Sequence, residues 1–171
     1  MEVKIVTDLV TEPVTVAEAR DYLRITTTAE DTLIEELITD ARERLEKFTN
    51  LSFGEKTLKC RWDSLSNWAE IPYQPNASIS SCVNDDGDAL TYEVKGLEYK
   101  YLYCNNSTGV TITYTAGFTT LPKALKVAIL KEVATSYENR ENFYIEGTFN
   151  ELSNDAKRMA QSYSRNTILG I

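Results

Sequence analysis

The sequence predicts an α+β fold, a helical bundle of about four helices interrupted by a small antiparallel β meander. Three observations lead there. Apolar residues recur at intervals of three and four up to about residue 50 and again after 121. The interval falls to two between about 53 and 120, where Thr, Tyr and Val are frequent, and turn signals rich in Asn, Asp and Gly separate the alternating stretches. The expected organisation is a single domain over 1–171, with a helical core from 1–52 and 121–171, a β insertion over 53–120 and a flexible C-terminal tail over 164–171.

The first helix is announced by Thr15-Val16-Ala17-Glu18, a capping-box pattern whose hydroxyl and carboxylate can satisfy free N–H groups, and it runs to about Arg24. Thr28-Ala29-Glu30-Asp31 repeats the signal. From there Leu33, Leu37, Ala41, Leu45 and Phe48, widened by Ile34 and Ile38, form the stripe of an amphipathic helix over 29–49. Its other face carries Glu35, Glu36, Asp40, Arg42, Glu43, Glu46 and Lys47, which reads as solvated surface with helix-spaced ion pairs.

Alternation then marks strands near 56–62, 79–83, 89–95, 99–104 and 109–115. Asn84-Asp85-Asp86-Gly87-Asp88 supplies the positive φ of a tight hairpin turn, and Asn105-Asn106-Ser107-Thr108-Gly109 a second turn. Pro122 restarts the helix at a position where its missing N–H costs nothing. Leu125, Ile129, Val133 and Tyr137, flanked by Val127, Ala128, Leu130 and Ala134, cover so much of its circumference that it should be the most buried helix. Glu141 to Glu151 reads as an aromatic-rich loop and contact surface. A last helix begins near Ser153 with Leu152, Ala156, Met159, Ala160 and Tyr163 on one side.

Composition narrows the function. The 171 residues are 42% hydrophobic and 26% charged, enough for a real core. No histidine is present, which excludes imidazole bases, His metal ligands and His pH switches. A net charge of −8 and a pI near 4.7 repel polyanions, so direct tight DNA binding is not expected. Cys60, Cys82 and Cys104 form no C-x-x-C pair and read as three reduced, partly buried thiols. No leader pattern opens the sequence and no apolar run approaches the roughly 20 residues of a membrane span, so a soluble protein made in the cytosol is expected.

Chemical motifs are absent: no phosphate-binding glycine loop, no dinucleotide fingerprint, no nucleophile elbow. Asp85, Asp86 and Asp88 lack the register of a calcium loop and are read as a turn. Glu35 and Glu36 are adjacent on a helix and diverge by about 100°, which does not suit an acid–base pair. No catalytic residue, metal site or cofactor is expected. Charge asymmetry is more informative, since residues 1–50 carry a net −6 while 151–171 carry +1, and the tail ends in the apolar Ile168, Leu169 and Ile171. That tail is expected either to dock on a partner and order on assembly, or to fold back or stay disordered.

Four stretches carry a resemblance to a known family. They are Glu12-Pro13-Val14-Thr15-Val16-Ala17-Glu18-Ala19 with Tyr22-Leu23-Arg24; Glu30-Asp31-Thr32-Leu33-Ile34 through Ala41-Arg42 and Phe48-Thr49; Tyr114-Thr115-Ala116-Gly117-Phe118 with Leu121 to Lys126; and Ala134 to Glu141. In this order they resemble the head–tail connector (adaptor, head-completion or DNA-packaging) proteins of tailed bacteriophages. The smallest members of that family are almost all helical, so the strands place this sequence with the longer branch that carries a β insertion.

The resemblance implies a structural adaptor, not an enzyme, that forms a ring with itself, usually twelvefold, between the portal protein and a stopper or tail-completion protein. DNA passes through the channel without specific binding, and no membrane is involved. The protein would be made in the host bacterial cytoplasm and reside in the virion at the head–tail junction. The family's C-terminal helix and tail typically engage the portal, which here implicates Lys157, Arg158, Tyr163, Arg165, Ile168, Leu169 and Ile171. A channel that does not grip phosphates suits an acidic lining, supplied by the acidic face of the 29–49 helix, with Glu35, Glu36 and Asp40 as candidates, or by the β insertion. The aromatic loop and tail further predict a protein that is monomeric alone and forms rings on the portal or at high concentration. The competing readings are another head- or tail-completion protein of the stopper type, and a carboxylate-dependent hydrolase, which would require a deep pocket with raised carboxyl pKa values.

Overall fold

Alternation of buried and exposed side chains decides the β part. In the computed structural model, which describes residues 1–105, 107–139 and 152–165, the strands are β1 (Glu2–Thr7), β2 (Lys56–Leu65), β3 (Ala69–Glu70), β4 (Ser78–Val83), β5 (Glu93–Lys95), β6 (Tyr101–Tyr103) and β7 (Ser107–Ala116). The helices are α1 (Val16–Leu23), α2 (Asp31–Thr49), α3 (Lys123–Glu138) and α4 (Asn154–Gln161). The class is α+β, as the sequence predicts. The chain divides into a β unit, Met1–Val10 with Leu51–Thr120, and a helical unit, Thr11–Asn50 with Leu121–Ile171.

In the β unit, Leu58, Cys60 and Trp62 of β2 lie opposite Tyr114, Ile112 and Val110 of β7, and all six side chains are buried. This period-two burial fixes the register, because a slip by one residue would turn the whole set outward. The four-stranded sheet has the order β1-β2-β7-β4, and a three-stranded sheet the order β3-β6-β5. Leu102 of β6, Ile71, Cys104 and Cys82 join the same core. The buried Tyr114 hydroxyl is satisfied by donating to the Pro72 carbonyl at 2.8 Å.

Two findings depart from the expected meander. Its candidate strands are shared between two sheets, and β2 pairs with β7 from Lys56↔Ala116 to Leu65↔Ser107, far apart in sequence. Alternation reveals a strand but not its partner. The turn at Asn84–Asp88 does form, with Gly87 at φ +89 and the Asn84 N–H donating to the Asp88 carbonyl at 2.9 Å, yet it closes only the bridge Val83↔Ala89. Residues 2–7, expected within the helical core, instead form β1, an edge strand antiparallel to β2. Five of its six residues are exposed, so it carries no one-sided apolar signal. The end of β1 is held by Asp8, which pairs with the buried Lys56 at 2.8 Å.

The Tyr114–Phe118 stretch gains a physical reason here. Gly117 has φ +141, and a Cβ there would lie 1.9 Å from the Gly54 carbonyl oxygen, so only glycine lets the two backbone segments meet. The Gly117 N–H donates to the Pro75 carbonyl at 2.8 Å.

In the helical unit the capping box forms as read: the Thr15 N–H donates to Glu18 at 2.9 Å, and the Glu18 N–H donates to the Thr15 hydroxyl at 3.1 Å. Arg24 ends α1 in the left-handed region, φ 59. The second signal works differently, since α2 starts at Asp31 after Glu30 with no side-chain cap, while Thr27 accepts from the Ala29 N–H in the preceding turn. Pro122 sits one position outside α3, which buries Leu125, Ala128, Ile129 and Val133 completely. Ser153 caps α4 by accepting from the Ala156 N–H, and Ala156 and Ala160 are buried. The loop at 141–151 and the tail beyond Arg165 lie outside the described residues.

Candidate assembly surfaces

Helix α2 is where the sequence reading and the structure differ most. Arg42 and Glu46, expected on the solvated face, are 2% and 3% exposed. Arg42 is held by Glu12 and by Glu46, each at 2.9 Å, so a charged set packs where an apolar stripe would otherwise continue. One helical turn separates the i,i+4 pair, and Glu12 reaches it from the segment before α1. Spacing alone signals the i,i+4 pair but not its burial.

A second ionic group was not anticipated at all. Glu132 of α3 is 2% exposed, forms an ion pair with Arg44 of α2 at 2.7 Å and accepts from the Ser153 N–H at 2.9 Å. Arg44 also reaches the Ser136 hydroxyl at 3.1 Å and Asp40 at 2.7 Å. One carboxylate therefore ties α2, α3 and the start of α4 together. Lys131 of α3 adds a contact to Asp155 of α4 at 2.7 Å, and this hydrogen bond, then the charge itself, holds the Asp155 carboxyl below its usual range.

The three acidic candidates share one face. Glu35, Glu36 and Asp40, with Thr32, Thr39 and Glu43, border an open groove of about 410 Å³ along α2. Asp40 is paired with Arg44, and Glu43 lies 3.7 Å from Arg42; no described cation pairs with Glu35 or Glu36. The face thus remains net negative.

The cationic candidates fall at and after α4. Arg158 is exposed, while Lys157, Tyr163 and Arg165 are half-buried. The chain after the helix returns to the end of α2, where the Arg165 N–H donates to the Thr49 carbonyl at 2.7 Å and the Ser164 hydroxyl to Phe48 at 3.4 Å. Ile168, Leu169 and Ile171 lie outside the described residues.

In the β unit the structure exposes apolar groups that the sequence reading passed over. Leu97, just after Gly96 in the β5–β6 turn, is 93% exposed, and Val10 is 98% exposed. Trp68 stacks on Tyr103 with centroids 5.4 Å apart, and the Lys95 ammonium sits 4.0 Å from the Trp68 ring. A lone leucine beside a turn glycine was the available signal.

The acidic turn behaves as a turn: Asp85 is bound by Arg61 at 2.8 Å, which is the main reason its carboxyl sits below the usual range, and the Asp88 N–H donates to Asn84 at 2.8 Å. Among the described residues no cluster of His, Cys, Asp or Glu is arranged to hold a metal. Hydrogen bonds and neighbouring charges hold the Glu18, Asp85 and Asp155 carboxyls below their ordinary range, opposite to what a carboxylic general acid needs at those three positions.

No curated protein matches the sequence. Over its whole length the chain superposes on a chain from the neck of an empty gene transfer agent (GTA) particle computed with C6 symmetry, with TM-score 0.79, 20% identity, and coverage of 100% of this chain and 99% of that one. It superposes likewise on a chain from the virion of a native GTA particle, with TM-score 0.77, 21% identity and the same coverage. A chain from the neck of the native GTA particle computed with C12 symmetry matches with TM-score 0.71 and 19% identity, again over 100% and 99%. Residues 13–85, which hold α1, α2 with its buried Arg42–Glu46 pair, and strands β2 to β4, match the phage gp6-like head-tail connector family, the same family that the motifs of the sequence resemble.

Proposed function

We propose that the protein is a structural adaptor of a tailed-phage or phage-like particle, a wedge repeated around a ring that joins the portal to the tail and lets DNA pass. The observation that carries this reading is the full-length likeness to chains of GTA necks, together with the family match at 13–85. Supporting it, the buried Glu132 ties α2, α3 and the start of α4 together through Arg44 and the Ser153 N–H. Rigid elements and surface contacts are what a ring subunit uses.

Twelve copies is the number this reading favours, because a chain of like fold stands in a neck computed with C12 symmetry. A cyclic ring needs two different patches on each copy, and the β unit offers separated exposed apolar groups, Ile5 and Val6 on β1 and Leu97 at the β5–β6 turn. In this arrangement Lys157, Arg158, Tyr163 and Arg165, with Ile168, Leu169 and Ile171 beyond them, face the portal. Glu35, Glu36 and Asp40 face the channel, where negative charge denies DNA phosphates a foothold.

Single-particle imaging of the protein mixed with its portal tests the reading. Rings coaxial with the portal are expected; a portal left bare at saturating protein would overturn it. Removing residues 166–171 should weaken attachment to the portal while leaving the fold intact, as read by circular dichroism. Undiminished attachment would remove the tail from the docking surface.

A further inference from the structure

The thiols of the β unit have no part in assembly as described above, yet two of them touch. The sulfur atoms of Cys82 and Cys104 are 3.7 Å apart in the core, with the residues 5% and 0% exposed. Cys82 lies on β4 of the four-stranded sheet, whereas Cys104 directly follows β6 of the three-stranded sheet. We propose that Cys82 and Cys104 form an oxidisable pair whose disulfide staples the two sheets of the β unit together.

Geometry makes the pairing selective. Cys60 and Cys82 flank Ile112 on opposite neighbours of β7, Cys60↔Ile112 on one side and Cys82↔Ile112 on the other. Two strand spacings separate them, about 10 Å, well beyond the reach of a disulfide. Closing the gap between Cys82 and Cys104 needs the sulfurs to approach by less than the width of an atom, which side-chain rotation supplies.

The chemistry balances with a peroxide as oxidant. The Cys82 thiol loses its proton, the thiolate attacks one peroxide oxygen, the O–O bond breaks, and a sulfenic acid and hydroxide result. The Cys104 thiolate then attacks that sulfur, the S–S bond forms and a second hydroxide leaves, so two thiols and one peroxide give a disulfide and two waters. Burial pushes the Cys82 thiol up to about 12 and raises Cys104 as well, so the pair stays reduced at neutral pH in a reducing cytosol and oxidises slowly outside it. The bridge would close a loop across a sequence separation of 22 residues, constraining the unfolded chain.

The test uses the whole protein, treated with hydrogen peroxide and mapped by non-reducing peptide mass spectrometry, with thiols titrated after unfolding. The expected product has lost two hydrogens, retains one titratable thiol at Cys60, shows a single Cys82–Cys104 cross-linked peptide, and melts roughly 5–10 °C higher than the reduced protein. C60S should keep the cross-link, and C82S or C104S should abolish it. Three surviving thiols, a bridge that includes Cys60, or oxidation of Cys82 to sulfinic acid with Cys104 free would each overturn the proposal. Because the assay needs neither portal nor ring, its outcome is independent of the adaptor reading.

Discussion

Arg42 shows how one side chain can govern a region. Its guanidinium is almost wholly withdrawn from water and answers two carboxylates, Glu12 and Glu46, at 2.9 Å each. Arg42→Ala removes the guanidinium that meets Glu46 in the interior at 2.9 Å, and urea unfolding should show a loss of about 3–5 kcal/mol. The double variant Arg42→Met with Glu46→Leu removes both charges and should recover most of that loss. Recovery no better than additive would mean that Arg42 and Glu46 do not depend on one another. At Gly117 the constraint is steric, so Gly117→Ala forces a positive φ and a backbone clash with Gly54. It should cost roughly 1–3 kcal/mol, whereas Gly87→Ala, with nothing within 4 Å, carries only the dihedral strain. Equal melting temperatures for the two would refute the packing argument.

At the level of elements, α1 depends on its cap. The Thr15 backbone N–H bound to Glu18 is the main reason the Glu18 carboxyl lies below its ordinary 4.5, with the Lys126 charge helping. A depressed carboxyl stabilises the fold above its unfolded pKa, and that contribution fades as pH falls through the lowered folded value. Stability of the wild type should therefore decline more steeply below about pH 4.5 than that of Glu18→Gln, and added salt should shrink the difference because the group is exposed. Thr15→Ala should cost about 1 kcal/mol. The Thr15 cap was legible from residue types alone, as were the two long helices, the neighbourhoods of β2, β4, β5, β6 and β7 and the turn at Gly87. Partnering was not: β1 shows no one-sided pattern because most of it is exposed, and nothing local in β2 names β7 as its neighbour. The assembly candidates divide in the same way. The acidic face of α2 could be read from helical spacing, but the burial of Arg42, Glu46 and Glu132 depends on what packs against them, which only the folded chain specifies.

For the whole molecule, charge is the property that bears on DNA transit. If Glu35, Glu36 and Asp40 line a channel, the triple substitution to Lys should leave ring assembly on the portal intact but slow DNA passage. It should also confer DNA retention whose affinity falls with salt at a log–log slope of about 0.9 per phosphate contact. Unchanged ejection kinetics with no salt-dependent retention would move this face away from the channel. The placing of β1 has a consequence of another kind. Glu2 pairs with Arg61 and Thr7 with Thr57, so the first strand leaves the ribosome some fifty to sixty residues ahead of the strand it needs. At ~5–20 residues per second it waits roughly 3–12 s with its backbone N–H and C=O groups unpaired, and during that interval the nascent chain is a natural client for a chaperone.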